Sequence, residues 1–277
     1  GQLFARPLEG FVMIFLDSIV CGDNVQTMKQ LPDNGIDLTV TSPPYDNLRT
    51  YAGHNWDFEA VARELFRVTK QGGVVVWVVA DATINGSETG TSFRQALYFK
   101  EIGFNLHDTM IWIKPDPIPL THNRYEQSFE YMFVFSKRKP KTFNPMKVIT
   151  KCSGRIDNMK NWSNKDIKQS KRIRDEFIVR NAERIKHNNW VVSVNDGNKI
   201  NHPAIFPRRL VSDHIESWSN EGDTVLDPFS GSGTTCKMAK ELGRHWIGIE
   251  INPEYIEISN ERMRQDVLSF ESYHQGS

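Results

Sequence analysis

Residues 223–235 read DTVLDPFSGSGTT. An apolar strand ending at Phe229 gives way, through two glycines, to a helical stretch that runs to Gly243, a residue suited to the position just past a helix end. Gly231 and Gly233 carry no side chain and tolerate positive φ, so a ligand can approach the backbone there, and the helix N-terminus beyond presents free N–H groups. The next strand, HWIGIEI (245–251), places Glu250 19 positions after Gly231, close to the spacing at which an acid binds ribose hydroxyls in nucleotide-binding folds. The turn has Cys236 where a third glycine would complete a dinucleotide fingerprint, and it lacks the GKS or GKT of a phosphate loop. A pyrophosphate is therefore disfavoured. With Asp227 ahead of the turn and Glu250 behind it, the pattern suits an adenosine-bearing cofactor that has no pyrophosphate.

Outward from this turn the chain reads as α/β. GVVVWVVAD (73–81) holds an unbroken apolar run from Val74 to Ala80, as expected of a central parallel strand covered on both faces. IDLTVT (36–41) is another strand. Between the two, Phe58, Val61, Ala62 and Leu65 fall on one face of an amphipathic helix. FNLHDTMIWIK (104–114) and FEYMFVFSK (129–137) follow one another without a helical pattern between them, which predicts an antiparallel pair at one sheet edge. Leu210, Val211, His214, Ile215 and Trp218 resume helical spacing before the glycine turn. Asp81, at the end of the central strand, either faces the site or caps the next segment.

TSPPY (41–45) follows the strand 36–41 directly, which places it at the carboxyl edge of the sheet, where open α/β folds bind ligands. Two successive prolines fix φ and donate no N–H, so this corner is rigid and its carbonyls are free to accept. An acceptor-rich corner suits an amine.

Lys and Arg number 34 and Asp and Glu 34, but residues 139–200 hold 15 of the basic and 6 of the acidic residues, leaving 19 and 28 elsewhere. One segment is basic, and a polyanionic partner is its natural counterpart. That segment lacks a sustained apolar period and reads as a mostly irregular or short-helical lobe. Cys21, Cys152 and Cys236 have no CxxC spacing, which argues against a disulfide framework or a zinc site and for core packing. The histidines show no ligand spacing, so no metal is expected. No apolar run approaches membrane-spanning length, and a cytoplasmic location is expected by default. Residues 1–12 show no clear pattern.

Taken together, TSPPY and DPFSGSGTT resemble the motifs of DNA amino-methyltransferases, in particular the group whose catalytic motif precedes its cofactor motif. The resemblance implies S-adenosyl-L-methionine as cofactor. It implies a Rossmann-like methyltransferase fold with a mostly parallel seven-stranded sheet, an antiparallel edge hairpin, a circularly permuted order and a small basic lobe. TSPPY looks like the catalytic motif, with Ser42 and the Pro43 carbonyl accepting from an exocyclic base amine, Pro44 stiffening the corner, and Tyr45 stacking on the extruded base. DPFSGSGTT is similar to the methionine-binding motif: Asp227, Phe229 against the cofactor, Ser230, Gly231, Gly233 and Thr234. Glu250 matches the ribose acid. HPAIFP (202–207), with Pro203 and Phe206, looks like the segment over the cofactor's amino-acid end, and GDN (22–24) offers Asp23 near the adenine.

On this reading residues 13–138 and 201–270 form the catalytic, cofactor-binding domain, and 139–200 form the target-recognition region, in which Trp162 and Trp190 either support extruded DNA or hold the lobe together. In a permuted sheet, the strand leading to Asp23 lies beside the one ending at Glu250. The serine form of the motif resembles cytosine-N4 enzymes more than adenine-N6 enzymes. A site-specific cytosine-N4 methyltransferase acting on double-stranded DNA is the expectation, with a cognate restriction endonuclease as partner and a homodimer left open. An adenine-N6 enzyme on the same scaffold, an RNA substrate, and a non-catalytic nucleic-acid-binding module are the alternatives.

Overall fold

The computed structural model describes residues 15–44, 56–116, 124–149, 156–158, 177–179, 183–194 and 206–264. Eight strands form the main sheet: β1 (Ser18–Cys21), β2 (Ile36–Thr41), β3 (Thr69–Val79), β6 (Asn105–Ile113), β7 (Phe129–Ser136), β12 (Asn189–Val191), β13 (Thr224–Asp227) and β14 (His245–Glu250). Their spatial order is β1-β14-β13-β2-β3-β7-β6-β12, and β7 alone runs against the other seven. Beyond β3 a two-stranded hairpin, β4 (Thr83–Ile84) with β5 (Ser87–Glu88), turns through Asn85 and Gly86, both at positive φ.

The continuous apolar run of β3 is explained by burial on both faces, since every residue from Val74 to Val79 is at most 2% exposed. Val75, Trp77 and Val79 join one apolar cluster with Val61, Ala62, Leu65 and Val68 of helix α2 (Phe58–Val68) and Ala96 and Phe99 of α3 (Thr91–Glu101). Met28 of the short α1 (Asn24–Met28) completes that layer. The alternate residues of β3 point the other way. On that face His214 of α4 (Arg208–Trp218) touches Met132, and α5 (Thr234–Glu241) and α6 (Pro253–Arg264) cover β13, β14 and β1. The expected helical face Leu210, Val211, His214, Ile215 and Trp218 is buried throughout.

β1 lies beside β14 with Cys21 opposite Glu250, the adjacency that a permuted order requires. The sheet holds one strand more than the seven expected. β12 adds outside β6, so the β6–β7 pair is antiparallel but one strand in from the edge. Trp112 Nε1 donates to the Val192 carbonyl at 2.8 Å, and Trp190 packs against His214 at 4.6 Å between ring centroids. Trp190 thus belongs to the main sheet's packing. A three-residue strand inside HNNWVVS is too short to show a period, which is why it reads as part of the basic lobe.

A second compact unit comprises residues 145–187, narrower at both ends than the expected 139–200. Its described elements are not helical. β8 (Lys147–Ile149) pairs with β11 (Glu183–Ile185), and β9 (Ile156–Asn158) with β10 (Phe177–Val179), both antiparallel. β8 and β11 are mostly exposed, so no inside–outside alternation marks them in the sequence. Cys21 is exposed, contrary to the expected core packing, whereas Cys236 is buried. Among the described residues no helix is long and apolar enough to cross a membrane.

Leu65 is fully buried at the centre of α2, and alanine is the better helix former, so a loss on truncation reads packing alone. Leu65→Ala should lower the unfolding free energy by about 2–5 kcal/mol in denaturant titration; a loss below about 1 kcal/mol would contradict this account of the core.

Candidate active site

From β2 the chain crosses through α2 to β3 on one side, and from β13 it crosses through α5 to β14 on the other. With right-handed crossovers, α2 and α5 must lie on opposite faces, and a crevice opens between the carboxyl ends of β2 and β13. The corner beginning at Ser42 leaves β2 there, and the turn beginning at Pro228 leaves β13 there.

The two segments are joined by hydrogen bonds. Thr41, the last residue of β2, donates from Oγ1 to Asp227 Oδ1 at 2.7 Å, and the Phe229 N–H donates to the same oxygen at 3.1 Å. Thr235 Oγ1 lies 3.3 Å from the Val40 carbonyl. Burial is the main influence on the Asp227 carboxyl and pushes it up to about 6; hydrogen bonds from Thr41, Thr235 and the Phe229 N–H pull it down, and nearby Glu250 pushes it up again. Burial, then Asp227, also raises the Cys236 thiol.

Glu250 organises the other end of the turn. Its Oε2 accepts from the Gly231 N–H and its Oε1 from the Asn252 N–H, each at 2.8 Å. Burial raises its pKa, against the pull of these backbone donors. A carboxylate offers about four lone-pair sites, and these backbone donors do not use all of them, which leaves acceptor capacity for a hydroxyl. Gly233 sits at φ 76°, where a Cβ would stand 3.0 Å from Ser259 Cβ; both the conformation and the space call for glycine. Ser259 Oγ donates to the Gly231 carbonyl at 2.8 Å, and the buried Arg262 donates to Ser232 O, Ser232 Oγ and Thr234 Oγ1 at 2.6, 2.8 and 3.2 Å. Helix α6 therefore braces the turn from below.

Phe229 stands edge-on to Trp56, with centroids 4.9 Å apart, and 6.3 Å from Trp77. Asn24 Nδ2 reaches the Pro228 carbonyl at 3.4 Å, tying the GDN turn to the glycine turn. Asp23 is exposed and caps α1 by accepting from the Gln26 N–H. Asp81 takes the capping option, accepting from Ser92 N and Oγ and from Thr89 at the start of α3. Ser42 and Pro44 are half-buried, Pro43 is buried, and Phe206 is half-buried just ahead of α4. Tyr45, Trp162 and Pro203 lie outside the described residues. The structure thus brings together Ser42, Pro43, Asp227, Phe229, Gly231 and Glu250 around one crevice.

Sequence reasoning missed Trp56, Thr41, Asn24, Ser259 and Arg262. Only Thr41 carried a usable signal, as a hydroxyl next to the motif serine. The others act across long sequence separations or through backbone carbonyls, which no local pattern marks.

A family model described as DNA methylase matches residues 36–261. The orphan methyltransferase M.BamHII of Bacillus amyloliquefaciens is 51% identical over 255 residues, which span 87% of this chain and 93% of that one. Among solved structures, TTHA0409 of Thermus thermophilus, described as a DNA modification methylase and determined with S-adenosyl-L-methionine, is 25% identical with a TM-score of 0.61, covering 91% of this chain and 97% of that one. The cytosine-N4-specific PvuII DNA methyltransferase shares the fold at 23% identity and a TM-score of 0.66, covering 92% and 88%. The chain belongs to the DNA methylase family that spans N6 and N4 amino-methyltransferases, and it is a DNA methyltransferase. The family is S-adenosyl-L-methionine-dependent.

The residues present fit that cofactor. Ser230 Oγ is buried without a hydrogen-bond partner among the described residues, a cost that a ligand's polar group would relieve, and Glu250 keeps acceptor capacity for ribose hydroxyls.

The raised pKa of Asp227 makes stability depend on pH. Its contribution is fully present below its ordinary value of 3.8 and is lost as pH rises through about 6. Asp227→Asn removes that titration, so between about pH 4 and pH 7 the variant should gain on the parent by up to about 3 kcal/mol in unfolding free energy. Parallel pH–stability curves for the two proteins would show that the carboxyl is not perturbed.

Proposed function

We propose that the chain transfers a methyl group from S-adenosyl-L-methionine to N4 of cytosine, in a base rotated out of double-stranded DNA, at a defined sequence. The observation that supports the reading is the 2.7 Å bond from Thr41, the residue before Ser42, to Asp227, the residue before the glycine turn. An exocyclic amine is a poor nucleophile because its lone pair is delocalised into the ring. Acceptors at Ser42 Oγ and the Pro43 carbonyl would take its hydrogens and localise the pair for attack. When bound, the cofactor supplies an electrophilic methyl on a sulfonium. On this reading Gly231, Gly233, Ser230 and Thr234 line its methionine end, with Pro203 and Phe206 opposite. Glu250 takes the ribose, Asp23 stands toward the adenine, and Tyr45 stacks on the base. The serine in the motif favours cytosine-N4 over adenine-N6.

The basic lobe is the proposed target-recognition region. Phosphate contacts there would hold the duplex while polar side chains read base edges. M.BamHII is named an orphan methyltransferase, which favours action without a dedicated endonuclease partner over the paired arrangement of a restriction–modification system.

Mass analysis of nucleosides from DNA treated with the protein and cofactor tests the acceptor: N4-methylcytosine is expected, and N6-methyladenine in its absence would overturn the choice of base. In the same assay Tyr45→Ala should lose methylation by about 100-fold with cofactor affinity nearly intact, and Phe229→Ala should weaken cofactor binding instead. Equal effects of the two on both readouts would remove these assignments.

A further inference from the structure

We propose that Thr41 and Asp227 are positioning residues, and that a single carboxylate oxygen sets the spacing between the catalytic corner and the cofactor turn. This rests on the family's methyl transfer to DNA and not on which base accepts. β2 and β13 are paired through their backbones only as far as Thr39 opposite Leu226. Beyond that point the backbone ladder between the two strands stops. The tie is then carried by side chains: Thr41 Oγ1 and the Phe229 N–H converge on Asp227 Oδ1, at 2.7 and 3.1 Å. One partner precedes Ser42 directly, and the other is the backbone of the aromatic residue in the turn.

Asp227 is 4% exposed and Thr41 is fully buried, so neither is placed to meet a large ligand directly. The groups that bear on the carboxyl are the hydroxyls of Thr41 and Thr235, the Phe229 N–H, Glu250 from β14 and Cys236 from α5. Among the described residues none of these is a cation, so hydrogen-bond donors stabilise the carboxylate and its demand for them favours the observed placement of each donor. Because transfer needs reacting atoms within about 3–3.5 Å, a displacement of about 1 Å at the corner costs about 100-fold in rate. Packing alone would be served equally by valine at position 41.

The test is steady-state transfer of isotope-labelled methyl from the cofactor to DNA by the full chain, counting every modified base. Thr41→Val, which replaces the hydroxyl by a methyl of similar size, should lower kcat by about 10–100-fold while KM for cofactor and for DNA stays within about threefold. Thr41→Ser, which restores the donor, should recover most of that loss. Should Thr41→Val show no cooperative unfolding transition, Thr41→Ala reads the same missing hydroxyl. An unchanged kcat in the variant that lacks the hydroxyl, a loss that appears in cofactor KM alone, or a Thr41→Ser variant as slow as Thr41→Val would each overturn the proposal. An inactive parent protein would instead count against the catalytic reading itself, and a shift from N4-methylcytosine to N6-methyladenine would leave this proposal standing.

Discussion

A carboxylate buried where two strands part company is the constraint on which the site depends. Asp227 ends β13 with its oxygen turned toward β2, and burial there is tolerated because donors from both segments converge on it. Remove the donors and an ionised group is left without partners, at a cost of about 1–3 kcal/mol or more. The same convergence that stabilises the charge places the acceptor-rich corner beside the glycine turn. Stability and geometry are one requirement at this point.

The surrounding layers serve that arrangement. α2 and α5 lie on opposite faces because the crossovers from β2 and β13 run in opposite directions, and this opens the crevice. The turn itself is held from two sides: Glu250 grips the Gly231 N–H, and Ser259 and Arg262 of α6 grip the carbonyls and hydroxyls behind it. Glycine at 233 is required by φ and by the closeness of Ser259. A turn braced by so many separate groups is already shaped, so on the proposed reading little ordering entropy remains for cofactor binding to cost.

Much of this was legible because the relevant signals are local. The apolar run of β3, the helical face of α2 and the glycine turn each span fewer residues than one element, and Gly243 falls just past the end of α5 as its type suggests. The adjacency of β1 and β14 followed from motif order. Other features were not local. β12 contributes only three residues, its place in the sheet resting on pairing with β6 from far along the chain. The β8–β11 ribbon exposes both faces and so lacks the alternation that marks a strand. Asp81 shows the limit of motif position: it stands at the edge where ligands bind, yet its carboxylate is engaged by Ser92 and Thr89 at the head of α3. Trp56 packs on Phe229 from a stretch with no period at all.

On the proposed reading the corner at Ser42 and the turn at Phe229 face one another across a single transfer site. A crystal structure of the protein with a non-reactive cofactor analogue and a duplex carrying its target would measure this directly. The expected result is a base rotated out of the helix, its exocyclic nitrogen within about 3–3.5 Å of Ser42 Oγ or the Pro43 carbonyl and facing the analogue's transferable group. A cofactor bound away from the glycine turn, or a target base left stacked in the duplex with the corner empty, would contradict it.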